Sequence, residues 1–301
     1  MSGSTDTRFH HDRVDLADLV AIADHEPVRR RAAGQKVGGA VILVLAGFVV
    51  AILVTNPGFD WPTVGRYLFD VSVLEGIAVT LELTIAAMSV GIVCGVVLAV
   101  LRQSGGPIPR FAATLYIWFF RGTPVLVQVL FWGFAASLFP RIGLGIPGGG
   151  FLVSWDTNEV IPIFAAAVLG LGFNEAAYVA EIVRGGLLSV PAGQSEAADA
   201  LGLGRLATLR FVVLPQAMRA IIPPIGNQFI SMLKMTSVVL VIGVGDLLES
   251  VTQIYSRNYR QIPLLIVASI WYLVMTTLLT LVQARLEKRF GRSLSRVGGA
   301  R

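Results

Sequence analysis

Arg121 and Glu181 stand inside stretches that are otherwise almost wholly apolar. A charge in that setting needs a partner or a wet cavity. An arginine side chain is long enough to reach a carboxylate on a neighbouring segment, so the two are read as a structural ion pair. Asn174, Tyr178 and Glu181 share a helical face, because offsets of four and seven return near the starting direction. Asn227, Ser231 and Lys234 form a second polar stripe. Together with Asn174, Gln128, Glu175 and Gln228, that stripe is a candidate lining for a pathway taken by a zwitterionic solute. The competing use is interhelical hydrogen bonding, which membrane bundles employ widely. For Glu175 the choice is between a cationic solute and a pair with a neighbouring helix. Other chemistries find no residues. A single cysteine, Cys94, excludes an intrachain disulfide and Cys-based metal sites. His10, His11 and His25 all precede the first apolar stretch. The lysines follow Gln35, Leu233 and Glu287, so no Gly-Lys-Ser/Thr phosphate loop exists. No catalytic residue, metal or resident cofactor is expected in this chain.

The elements that must position those side chains are membrane spans. Charged residues make up 14% of the 301 residues, close to half the roughly 25% of soluble domains. Six stretches approach the ~20 apolar residues that cover a bilayer, at 38–55, 77–101, 113–138, 160–183, 220–245 and 262–284. With the N-terminus cytoplasmic, 18 of the 24 Lys and Arg fall in inner segments and four in outer ones. The positive-inside rule therefore puts both termini in the cytoplasm. The net charge of +5 is an orientation signal, and no nucleic-acid partner is expected. Arg-rich ends at 29–31 and 285–301 serve topology and can also meet anionic lipid. Segment 61–75 is amphipathic and expected along the outer interface. The Gly/Pro-rich stretch 140–157 reads as an irregular outer connection, and Pro124 is expected to bend the third span.

Between the fourth and fifth spans lies a long inner loop, 184–217. Glu196-Ala197-Ala198-Asp199-Ala200-Leu201 favours helix, with Ser189 before Pro191, or else Ser195, as the cap. Gly202 and Gly204 supply the stop. Pro223-Pro224 should break the helix that follows. A short helix with small residues on one face can sit closely in a groove of another protein. Acids near its start are also favoured by the helix dipole alone.

The spacing within this loop decides between those readings. Glu196-Ala197-Ala198, Gly202, Val212 and Leu214-Pro215 resemble the signature loop of permease subunits in ATP-binding-cassette importers. Phe120 to Pro124 with Val127-Gln128, Ala177 to Gly186, and Leu214 to Ala217 resemble motifs of the polar amino-acid branch (histidine, glutamine and glutamate type). Asn227-Gln228-Phe229 and Leu233-Lys234-Met235-Thr236-Ser237 do likewise, with Met235 where an acid is common. The similarity covers about 70–290. It implies an all-α integral membrane protein with the type I importer permease fold, in a bacterial inner membrane. Since members typically have five spans, 1–36 is read as a cytoplasmic tail, 37–69 as an added helix and outer loop, and 291–301 as a basic tail. The implied partners are two ATP-binding subunits that use ATP and Mg, and a second permease subunit, same or homologous. An extracytoplasmic solute-binding protein, a polar amino acid and membrane lipids complete the set. Glu196, Ala197, Ala198 and Gly202 would couple to the ATPase. The rival reading is a self-contained secondary transporter or channel.

Overall fold

The computed structural model describes residues 32–104, 106–146 and 150–291. The calls on most of the N-terminal tail, on the three histidines and on the basic C-terminal tail beyond 291 lie outside the described residues. The chain divides into two units at Phe59/Asp60. The first holds α1 (Ala32–Thr55) and a 3-10 turn, Pro57–Phe59. Thr55 caps α1 by donating its hydroxyl to the Ala51 carbonyl at 2.7 Å.

The second unit begins with a short helix, α2 (Trp61–Tyr67). It continues through α3 (Val71–Ser104), α4 (Pro107–Gly122), α5 (Val125–Gly133) and α6 (Ala135–Leu138). Strands β1 (Arg141–Ile146) and β2 (Gly150–Asp156) come next, followed by α7 (Thr157–Val160) and α8 (Ile163–Leu188). Last are α9 (Ala192–Ala200), α10 (Arg205–Ala207), α11 (Leu214–Met235), α12 (Leu247–Asn258) and α13 (Gln261–Gly291). Among the described residues five helical stretches are long and apolar enough to cross a bilayer, and the bent pair α4–α5 makes a sixth.

Four expectations are corrected. The third span is not continuous: α4 and α5 meet at 101° across Thr123-Pro124. The stretch 140–157 is not irregular, since β1 and β2 pair antiparallel from Arg141↔Asp156 to Ile146↔Gly150, with an irregularity at Leu144/Gly145. Residues 61–75 split between α2 and the start of α3, which lengthens the second span outward. Pro223 and Pro224 lie within α11 without ending it. The amide of Gln283 reaches the Pro223 carbonyl at 3.4 Å, and neighbouring helices tolerate such prolines by this kind of repair.

The packing centre is α8. Of its apolar stretch 61% is buried, against 39% in α3 and 17% in α13. It contacts α3, α4, α5 and α11. Lipid is as apolar as leucine, so helices associate through close fit rather than water exclusion. Small residues provide that fit. A Cβ on Gly95 would stand 2.6 Å from Val179, and one on Gly172 would stand 2.9 Å from Val90. Leu83, Met88, Val129, Leu171, Met232 and Val239 close the interior around this contact. A second cluster, with Val64, Val73, Leu247, Val251, Leu264 and Val267, joins α2, α12 and α13 to the start of α3.

Two carboxylates hold the ends of this second cluster. Asp60 takes the left-handed conformation and accepts from the Thr63 hydroxyl at 2.7 Å, with Arg260 also paired to it. The Thr63 hydroxyl foremost, with Arg260, holds its carboxyl below the usual range despite some desolvation. Asp246 is fully buried and caps α12 at the amides of Leu248 and Glu249, 3.2 Å each. Burial pushes its carboxyl upward, and the Glu249 charge adds to that push.

Replacing Gly95 with leucine should therefore force α3 and α8 apart and cost about 1–3 kcal/mol. Gly65→Ala, where no atom lies within 4 Å of the new Cβ, should not destabilise. Thermal unfolding of the two variants in detergent separates these outcomes.

Candidate functional site

The inner loop forms α9, but neither expected serine caps it. Pro191 occupies the cap position with no side-chain bond, and its carbonyl receives the Gln194 amide at 3.0 Å. Ser189 instead closes the end of α8, donating its hydroxyl to the Gly186 carbonyl at 2.7 Å. The reason is local: α8 runs to Leu188, so Ser189 belongs to its last turn. The stop is as expected and complete. The Leu203 amide reaches the Ala198 carbonyl at 3.1 Å and the Gly202 amide reaches Asp199 at 2.9 Å, the paired bonds of a Schellman end. Gly202 sits at φ 76, which favours glycine, although nothing crowds its Cβ direction.

Ala198 is buried against the segment that follows, while Glu196 and Ala197 are exposed. That segment is a π-helical stretch, Thr208–Val213, leading through Pro215 into α11. Gln216 ties the loop to α11. Its amide donates to the Val212 carbonyl at 2.9 Å and to the Gln194 Oε1 of α9 at 3.1 Å. α9 is thus a braced knob with an acid on its outer face.

The bend between α4 and α5 gathers two of the expected pathway residues. Proline 124 has no amide to donate, and the break frees carbonyls. Gln128 Nε2 donates toward the Phe120 carbonyl (3.0 Å), the Thr123 carbonyl (3.1 Å) and the Thr123 hydroxyl (2.8 Å). Asn174 Nδ2 donates to the same Phe120 carbonyl at 2.9 Å. Tyr116 spans the same gap, donating to Phe173 O at 2.9 Å.

Glu181 accepts from Arg102 and from Arg184 at 2.8 Å, while Arg121 stands 3.8 Å away. The Arg121 guanidinium also lies over the Tyr178 ring at 5.4 Å. The face shared by Asn174, Tyr178 and Glu181 is therefore the face of α8 that meets α4. One carboxylate joins α3, α4 and α8. Arg102 was legible only as an inner basic residue, because nothing in its local sequence names a partner 79 positions away.

Glu175 points elsewhere. It is 1% exposed and its Oε1 has no hydrogen-bond partner among the described residues. Gly91 of α3 lies against its side chain, where a Cβ would approach to 2.8 Å, and Gln228 of α11 is the polar group that reaches its carboxyl. Asn227 is exposed and accepts from Gln283 of α13 at 2.8 Å. Gln283 also donates to Glu287 at 2.9 Å. Ser231 is half-buried and Lys234 exposed on the same helix. Gln283 and Glu287 were missed by sequence reasoning, since α13 shows only a long apolar run ending in charges. Thr80 and Tyr272, which meet the turn at Leu247 and Asp246, were missed too.

The described residues thus form a bundle of apolar spans with a broken third member and a short helix in the loop between the fourth and fifth. The chain belongs to the binding-protein-dependent transport system inner membrane component family, whose model matches residues 91–292. The arginine transport system permease protein ArgU of Corynebacterium glutamicum is 43% identical over 270 residues, covering 89% of this chain and 84% of that protein. The glutamine permease GlnP of Escherichia coli K12 is 35% identical, over 77% of this chain and 97% of its own length. Among solved structures, a crystal structure of an amino acid ABC transporter with histidines matches with a TM-score of 0.61 at 36% identity. That match covers 72% of this chain and 94% of the other. The protein is a multi-pass membrane protein of this class.

Gln128→Leu should remove the donors to the bend and cost about 1–3 kcal/mol for the carbonyls left unpaired. Asn174→Leu serves the same Phe120 carbonyl, so the two losses should couple rather than add. Unfolding of both single variants and the double variant in detergent measures the coupling; strict additivity would separate the residues.

Proposed function

We propose that this chain is the permease subunit of an ATP-driven importer for a cationic amino acid of the arginine type. Two such subunits, identical or homologous, would form the pathway. A binding protein would deliver the solute at the outer face, where the β1–β2 hairpin and the turn at Asp246 lie in this orientation. Both termini and α9 would be cytoplasmic, in line with the placement of the basic residues. Two separate ATPase subunits would bind ATP and Mg, and this chain would hydrolyse none.

The observation that carries the coupling role is α9 itself. Only Ala198 is buried against its own chain, so Glu196, Ala197 and the capped turn at Gly202 are free to seat in an ATPase groove. The brace from Gln194 to Gln216 gives a route for force, because movement of α9 pulls on α11, and α11 carries Asn227, Gln228, Ser231 and Lys234. We assign Glu175 and Gln228 to the solute pathway. A buried carboxylate beside a neutral amide suits a guanidinium or ammonium, and the similarity to an arginine permease supports the same class. Asn174 and Gln128 are assigned to bracing the bend, and Arg121–Glu181, with Arg102 and Arg184, to holding the inner ends of three helices.

Glu196→Arg should reduce ATP-driven uptake at least about tenfold, since a buried charge contact is replaced by a like or unpaired one. The variant should still unfold like the parent in detergent. Uptake at the parental rate would remove Glu196 from the coupling contact. Glu175→Gln should lower uptake of arginine by about tenfold or more, the worth of a charge-assisted hydrogen bond, with little change for a neutral amino acid. Competition between radiolabelled arginine and glutamine reads this out, and an equal fall for both would exclude a charge-selective role.

A further inference from the structure

The ends of α3 and α8 border an open cavity of about 430 Å³ with α9 and the stretch Arg205–Val213, and a second one of about 390 Å³ lies between α3, α4 and α8. The second is lined by Arg102, Gln103, Arg110, Thr114, Arg184 and Leu188. Three guanidiniums from three different helices converge there, and no acidic side chain lines the wall. Glu181 engages Arg102 and Arg184 and has Arg121 beside it, so one negative charge stands against three positive ones. Arg110 has no acidic partner within ion-pair distance among the described residues.

The position of this cavity narrows the ligand. Arg102 is near the end of the apolar span of α3, and Leu188 is the last residue of α8. On α4, the residues flanking Arg110 and Thr114 are apolar and outward: Ile108 is 80% exposed, Phe111 69% and Leu115 49%. A basic recess at the depth where helices leave the membrane, with an apolar rim beside it, matches a phosphodiester headgroup with its acyl chains alongside. Basic pockets between spans on the cytoplasmic side bind anionic headgroups in this way.

We propose that the recess formed by Arg102, Arg110 and Arg184 binds the phosphate of an anionic phospholipid of the inner leaflet. The occupied site fastens the inner ends of α3, α4 and α8 at the hub that Glu181 organises. Its supply of positive charge is what Glu181 leaves uncancelled, and Arg110 is the guanidinium committed to the lipid alone. The inference is independent of which solute the permease carries.

The test uses the complete transporter, purified with its ATPase subunits and exchanged into micelles holding phosphatidylglycerol or phosphatidylcholine. Native mass spectrometry counts the lipids retained. The parent should retain phosphatidylglycerol in preference, and Arg110→Gln should lower that retention by about fivefold, the effect of one basic residue near an anionic surface. Arg257→Gln, in the last turn of α12 on the opposite side of the membrane, should retain lipid as the parent does. Thr114→Leu fills the recess without changing charge and should lower retention as well, which keeps the proposal testable if Arg110→Gln impairs assembly. Retention should persist in excess inorganic phosphate. Equal retention by the parent, Arg110→Gln and Thr114→Leu would overturn the site. Displacement of the lipid by inorganic phosphate would overturn the lipid as its ligand in favour of a free phosphate.

Discussion

Inside a bilayer no water reaches a backbone carbonyl that has lost its helical partner, and each such group costs several kcal/mol unless the protein supplies a donor. This chain nevertheless breaks its third span and threads two prolines through its fifth. The polar side chains of the interior are arranged to meet that cost. Gln128 and Asn174 both point at the carbonyls around Phe120 and Thr123, and Gln283 reaches Pro223. Residues that by type suit a solute pathway are thereby largely spent on backbone repair. What is left over stands out. Glu175, fully buried with one oxygen unpartnered, is the ionisable side chain among the unpartnered buried groups of the described residues, the others being the amide oxygens of Gln128 and Gln283.

The same absence of water explains why the bundle is held by small residues. Leucine gains nothing by leaving lipid for protein, so attraction between helices must come from contact. Gly91 and Gly95 let α3 lie directly on α8, at separations that a methyl group would close to 2.8 and 2.6 Å. That close contact fixes the register in which Glu175 lies against α3, and it also delivers Glu181 to Arg102. Close packing through α8 and the braced α9 divide the second unit into a frame and a lever. The frame is closed by the arginine hub at its inner end, and the lever is tied to α11 through Gln194 and Gln216.

Spans and the loop helix were legible because each is written locally. A twenty-residue apolar run, the Glu196 to Leu201 stretch and the glycine stop all act within a few turns of chain. The bend at Pro124 was legible as a bend but not as 101°, because its angle depends on donors that arrive from Gln128 and from Asn174, on another helix. The hairpin at 141–156 was hidden by glycines that read as loop, while its pairing is a relation between two strands. The serine caps failed because α8 extended further than its apolar pattern and took Ser189, while α9 starts at Ala192 behind Pro191 and so encloses Ser195. The Gln283 partner of Asn227 was out of reach for the same reason as Arg102, since pairing across 56 positions leaves no mark on local spacing. Arg121 was chosen for its depth in the span, yet Arg102 and Arg184 lie closer to the carboxylate.

The central claim is that this chain transports only when driven by a separate ATPase. The direct measurement is arginine uptake into proteoliposomes containing the permease with its ATPase subunits, with the binding protein outside and ATP sealed inside. Uptake should require all three and should be indifferent to collapse of the proton and sodium gradients. Uptake by the permease alone, driven by an ion gradient without ATP, would contradict the account.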